Sequence, residues 1–135
     1  MDAQAYLLDT NVLLAALLAP ERLPADVVAA LSDASVTVHF SAASIWEIAI
    51  KRSLNRVDFD FSPQDIQDLA VRTGFIELPI TGNACQPLVD LPWHHRDPFD
   101  RMLIAQAKAL PAYLLTTDDV LCQYSELVTH LSLKP

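Results

Sequence analysis

With two glycines in 135 residues, this chain contains no GxSxG, P-loop or GxGxxG, so it lacks the signals of a hydrolase nucleophile elbow or a nucleotide-binding fold. Cys85 and Cys122, its two cysteines, form no CxxC pair; they read as reduced thiols of a cytosolic protein, not as a disulfide framework or zinc site. Long hydrophobic runs are missing as well. The nearest, Val12 to Pro20, makes about two helical turns where a bilayer needs roughly 20 residues. Asp2 and Asp9 precede it and no Lys or Arg does, which argues against a secretory signal and for a cytoplasmic protein. Positive charge is also scarce: 9 Lys and Arg face 17 Asp and Glu, a net charge of −8. That balance excludes a general nucleic-acid coat, whose affinity rests on cations against phosphate.

What is present is apolar. Hydrophobic residues make up 52% of the chain and charged ones 19%, enough for one ordinary core and so for a single domain over residues 1–135. The composition is oily for a monomer of this size, and a second copy or a partner is expected to cover part of the surface. Strands are expected at Tyr6–Leu8, Val36–Phe40, Phe75–Leu78 and Tyr113–Thr116, because these runs are apolar or β-branched and stop at turn or cap residues. Between them, helices are expected over Val12–Leu18, Ala25–Leu31, Ala42–Arg52, from Ser62-Pro63 to Gly74, and from Asp97-Pro98 to Leu110. Asn55–Ser62 is the best loop candidate. Helices alternating with continuously apolar strands indicate an α/β protein with a parallel sheet covered on both faces.

Four acids interrupt these apolar runs: Asp9, Glu47, Asp100 and Asp118. In a parallel sheet, ligands bind beyond the carboxyl ends of the strands. Asp9 and Asp118 directly follow predicted strands, Asp100 lies in the first turn of a helix, and Glu47 lies one and a half turns into another. Carboxylates gathered in one concave site repel one another and resist ionisation unless a divalent cation neutralises them, and such a cation can activate water for phosphodiester hydrolysis. The plainer reading makes Asp9, Asp97, Asp100 and Asp118 ordinary helix-capping or first-turn acids, each worth about 0.5–2 kcal/mol. Glu47 has a weaker plain reading, a surface pair with Lys51 worth about 0.3–0.5 kcal/mol. It is the only charged residue between Phe40 and Lys51.

The segments Leu7-Leu8-Asp9-Thr10-Asn11-Val12-Leu13-Leu14, Ser41 to Lys51 with Ile45-Trp46-Glu47-Ile48 at its centre, His95-Arg96-Asp97-Pro98-Phe99-Asp100-Arg101 continuing to Ala107, and Leu115-Thr116-Thr117-Asp118 resemble the four acidic motifs of the PIN-domain ribonucleases. The chain resembles in particular the VapC toxins of bacterial toxin-antitoxin pairs. The resemblance runs in order along essentially the whole chain. It implies a three-layer α/β/α sandwich, a Mg²⁺- or Mn²⁺-dependent endoribonuclease acting on structured RNA of the tRNA or rRNA class, a homodimer, and a cognate antitoxin that blocks the site. By motif position Asp9, Glu47, Asp100 and Asp118 would bind metal, and Thr10, Asn11 and Thr116 would orient carboxylates or metal-bound water. Asp97 and Asp119 are extra acids nearby. Lys51 and Arg101 are the basic residues expected nearest the scissile phosphate, within a wider set that includes Arg52, Arg56, Arg96 and Lys108.

Other chemistries fit less well. His94 and His95 would need a second catalytic histidine for metal-free RNA cleavage; they are read as structural or surface residues in contact with substrate or partner. Trp46 and Trp93 could stack on bases, but an aromatic in an apolar helix is usually core. A dehalogenase-type phosphatase wants an acid where Asn11 stands, and a receiver domain wants a Lys after its last strand, where only Lys134 is available. The alternative of a different class is a catalytically idle PIN-like module that only binds a partner, whose mark would be loss of an acid.

Overall fold

The computed structural model describes residues 4–55 and 59–135, so Arg56 and the middle of the predicted Asn55–Ser62 loop lie outside the described residues. Five strands form one sheet: β1 (Ala5–Leu8), β2 (Thr37–Ser41), β3 (Ile76–Leu78), β4 (Tyr113–Thr116) and β5 (Val128–His130). Their order is β3-β2-β1-β4-β5, and every pairing is parallel. The chain therefore builds outward from β1 in one direction and then in the other. The point of reversal lies between β1 and β4, where a doubly wound sheet opens a crevice at its carboxyl edge.

Alternation along the strands divides the core. Leu8 and Leu115 face one side with Val38 and Phe40, under Val12, Leu13, Ile48 and Ile66 from helices α1 (Thr10–Leu18), α3 (Ala42–Ser53) and α4 (Pro63–Thr73). Leu7 and Leu114 face the other, against Leu103, Ile104 and Ala107 of α6 (Pro98–Ala109) and Leu121. The three-layer sandwich follows from that two-sided burial. Helix α2 (Ala25–Ser32) and the single turn α5 (Gly82–Cys85) complete the helices among the described residues. None of these helices is long and apolar enough to cross a membrane.

Caps fix the helix starts. Ser41 Oγ accepts from Ala43 N at 3.0 Å and Ser62 Oγ from Asp65 N at 3.2 Å, ahead of Pro63 at the first helical position. Gly74 ends α4 at φ 102°, and Phe75 N donates to Ala70 O at 3.0 Å across the reversal. A Cβ added at Gly74 would meet nothing within 4 Å, so only its left-handed backbone resists substitution. Gly74→Ala should therefore lower stability by about 1 kcal/mol. In thermal unfolding Gly82→Ala, in open space with an unexceptional φ, serves as the unperturbed control.

Two elements went unforeseen. Strand β5 has three residues, and its Thr129 and His130 are exposed, so it carries neither an apolar run nor an alternation of useful length. Helix α5 is one turn capped by Thr81, whose Oγ1 accepts from Ala84 N at 3.2 Å.

Candidate metal centre

Asp9 leaves β1 at the carboxyl edge and is the N-cap of α1, its Oδ1 accepting from Val12 N at 2.8 Å. The capping reading of this residue is thus correct, yet incomplete. Its Oδ2 accepts from Thr116 Oγ1 at 2.7 Å and from Thr117 N at 3.2 Å, both at the end of β4. The Thr116 hydroxyl, fully buried, accepts in turn from Asp118 N at 3.0 Å and so ties the first acid to the backbone of the last. The hydrogen bonds to Asp9 favour its ionised form, but burial outweighs them and pushes its carboxyl above the ordinary range, with the Glu47 charge adding to the rise.

Glu47 reaches the same edge from α3 and is buried. Its Oε1 accepts from Thr10 Oγ1 at 2.6 Å, and Thr10 Oγ1 lies 2.9 Å from Ser44 Oγ in a hydroxyl pair one helical turn before Glu47. Lys51 Nζ stands 2.6 Å from Glu47 Oε2 at i,i+4 spacing and 4.9 Å from the Phe59 ring centre. The predicted surface pair exists, but its acid is turned inward.

Asp100 comes from the first turn of α6, whose N-cap is Asp97; Asp97 Oδ1 accepts from Phe99 N at 2.8 Å and Asp100 N at 3.4 Å. Burial, then the charges of Asp97 and Asp9, push the Asp100 carboxyl up to about 7, with His95 opposing the rise and Glu47 adding to it. Asp118 caps the 3-10 turn Asp119–Gln123, its Oδ1 accepting from Val120 N at 3.0 Å. His95 Nε2 lies 2.9 Å from Asp118 Oδ2 and 3.4 Å from Asp100 Oδ2.

These groups line one cavity of about 150 Å³: Asp9, Thr10, Asn11, Glu47, Lys51, Asp97, Asp100, Thr117 and Asp118. A larger cleft of about 470 Å³ between α1 and Leu133 holds no carboxylate. Among the described residues, Lys51 pairs with Glu47 and His95 with Asp100 and Asp118, while no cationic side chain pairs with Asp9. Asp9, buried, and Asp100, half-buried, both resist ionisation in a polar hollow lined by carboxylate oxygens, a set that a hard divalent cation such as Mg²⁺ or Mn²⁺ fits.

All four expected acids line this cavity, as do Thr10, Asn11, Lys51 and the extra acid Asp97. Asn11 touches no carboxylate; its Nδ2 donates to Thr117 Oγ1 at 3.3 Å. Asp119 is outside the cavity lining and lies in the turn that Asp118 caps. Arg101 departs from expectation. It is buried, and its guanidinium donates to the carbonyls of Pro92 at 2.8 Å and Leu91 at 3.1 Å, with longer contacts to Leu88 O, His95 O and Tyr124 Oη. Trp93 covers it at 3.7 Å. With its donors spent on backbone carbonyls, Arg101 fixes the segment ahead of α6 and is absent from the cavity lining, unlike Lys51. Trp46 is 56% exposed, edge-on to Phe99 at 4.9 Å, so the expectation of a core tryptophan fails there.

The bridging role of His95 and the participation of Ser44 were not foreseen. Ser44 had a readable signal, lying three residues before Glu47 on one helical face. The histidine had only its proximity to Asp97.

The family model described as PIN domain matches residues 6–127. Similar solved structures include VapBC2 from Rickettsia felis bound to a DNA fragment from their promoter (TM-score 0.69, 13% identity, 96% of this chain and 100% of that chain). VapBC-1 from nontypeable Haemophilus influenzae has a TM-score of 0.62 at 18% identity over 96% of this chain and 98% of that one. FitAcB from Neisseria gonorrhoeae has a TM-score of 0.58 at 18% identity over 93% and 96%. At these identities the likeness is one of fold. No curated protein matches in sequence.

Proposed function

This chain belongs to the PIN-domain family, and from that premise we propose that it is a Mg²⁺- or Mn²⁺-dependent endoribonuclease of the VapC type, the toxin of a toxin-antitoxin pair. One observation carries the reading: carboxylates from four distant segments, Asp9, Glu47, Asp100 and Asp118, line a single 150 Å³ cavity. A catalytically idle interaction module has no need to bury mutually repelling acids.

The bound cation would supply water activation and neutralise charge at the scissile phosphate, leaving a 5′-phosphate and a 3′-hydroxyl. Asp9, Glu47, Asp100 and Asp118 would hold it. Thr116 and the Thr117 N–H fix the Asp9 carboxylate, and Thr10 fixes that of Glu47, so these acids are held in place before RNA arrives. Lys51, at the cavity wall, would shift from Glu47 toward the incoming phosphate as a mobile point charge. No protein nucleophile takes part.

The likeness to the VapBC complexes supports a cognate antitoxin as partner. Exposed Trp46, Leu54, Val71 and Val89 fit the expectation of a homodimer or other covering chain. The substrate class is structured RNA.

Asp9→Asn removes one charge while its oxygen can still cap α1. EDTA-sensitive RNA cleavage should drop at least about 100-fold with the fold intact. Cleavage within a few-fold of wild type in that variant would refute the metal mechanism.

A further inference from the structure

We infer that His95 is a positioning residue, an Nε2–H donor that holds the Asp118 carboxylate at the cavity edge beside Asp100, and is not a nitrogen ligand of the cation. This inference rests on the metal-dependent reading above. The ring nitrogen and one oxygen from each acid lie within 4.8 Å of one another, a spacing that would itself suit an ion. Hydrogen placement decides between the two roles.

His95 is anchored on three sides. Its backbone N–H donates to Tyr124 Oη at 2.8 Å, its carbonyl accepts from Arg101 Nη1 at 3.4 Å, and its ring Nδ1 accepts from Asp97 N–H at 3.1 Å. A ring nitrogen that accepts carries no proton, so the ring proton resides on Nε2. That N–H points at Asp118 Oδ2, 2.9 Å away, with Asp100 Oδ2 at 3.4 Å. Ligation would require the opposite tautomer, with a bare Nε2 and a protonated Nδ1. Two N–H groups would then face each other across 3.1 Å, and the backbone donor of Asp97 would lose its acceptor. A metal-ligating histidine ordinarily donates through its other nitrogen to a carboxylate or carbonyl; here that nitrogen meets a donor.

The consequence falls on Asp118. Its Oδ1 is held by Val120 N and its Oδ2 by His95, so the carboxylate is fixed at both oxygens although its side chain is 37% exposed. Without the imidazole one restraint disappears and the side chain rotates toward solvent. Supporting groups of this kind typically contribute about 10–100-fold to metal affinity.

The test uses the full chain with Mn²⁺ alone as probe. Mn²⁺ affinity is measured by electron paramagnetic resonance, imidazole nitrogen coupling to the bound ion by electron spin echo modulation, and the His95 tautomer by ¹⁵N NMR of histidine-labelled protein. Wild type should bind Mn²⁺ without coupling from His95 and show the Nε2–H tautomer. His95→Ala should bind about tenfold more weakly. His95→Gln, whose amide nitrogen can stand where Nε2 stands, should remain within about threefold of wild type. Nitrogen coupling that vanishes in His95→Gln, an Nδ1–H tautomer, or unchanged Mn²⁺ affinity in His95→Ala would overturn the inference while leaving the metal reading in place. Wild type that binds no Mn²⁺ would overturn both. Should His95→Ala fail to fold, the wild-type coupling and tautomer still decide.

Discussion

Asp100→Asn is expected to abolish Mn²⁺-dependent RNA cleavage and, in the same protein, to raise the unfolding temperature measured in EDTA at pH 8. The second effect separates a metal centre from a structural acid. Asp100 is pushed up to about 7 by burial and by the charges of Asp97 and Asp9, against 3.8 for an ordinary Asp. Between those values the unfolded chain has already released a proton that the folded chain retains. Stability of the metal-free protein therefore falls as pH rises from about 4 to about 7, and above that the cost is fully present. Asparagine removes it, a gain on the order of 1–3 kcal/mol once solvent screening is allowed for. For a chain of this length that corresponds to roughly 3–5 °C per kcal/mol. Addition of Mn²⁺ to wild type should give the same relief by supplying the missing positive charge, and should do little for the variant. A variant less stable than wild type in EDTA at pH 8 would show that Asp100 serves only as a first-turn acid of α6.

Arg101→Ala is expected to be the most destabilising single substitution among the site residues, by about 2–4 kcal/mol, because it strands the Leu91 and Pro92 carbonyls, which accept from no other group among the described residues. The guanidinium collects Leu88, Leu91, Pro92 and His95 carbonyls into one knot, and its fork of five donors is what makes that geometry feasible. Arg101→Lys should recover less than half of the loss, since an ammonium reaches the carbonyls only as a point donor. Chemical denaturation read by far-ultraviolet circular dichroism measures both. A residue that instead contacted RNA would leave the midpoint unchanged and weaken only substrate binding; that outcome would restore the role expected from the sequence.

Much of this architecture is legible in the sequence because local and global signals agree. Tyr6–Leu8 and Tyr113–Thr116 are apolar runs that end at polar caps, and both are central strands. Ser62-Pro63 opens a helix and Gly74 closes it, each for a backbone reason that needs no tertiary context. The site was legible in outline for the same reason: acids at strand ends converge wherever a parallel sheet changes direction. What stayed hidden depends on long-range partners. Arg101 lies near the start of α6, beside an acid of the site, and reads as a cation placed for a phosphate; nothing local announces that four carbonyls from Leu88 to His95 will wrap it. His95 reads as one of two adjacent histidines, and only the approach of β4 brings Asp118 to its ring. Trp46 looked like core because its neighbours are; the face it occupies lies outside α3's contact with the sheet.

The reversal between β1 and β4 also divides the acids between early and late parts of the chain. Glu47 and Thr10 both belong to segments ahead of α4, whereas Asp118 follows Tyr113–Thr116 and reaches the cavity where that strand pairs with Tyr6–Leu8. A nascent chain halted before that strand carries three of the four acids and lacks the last. The set of acids is therefore complete only when residues 107 positions apart in the sequence, Asp9 and Thr116, have met.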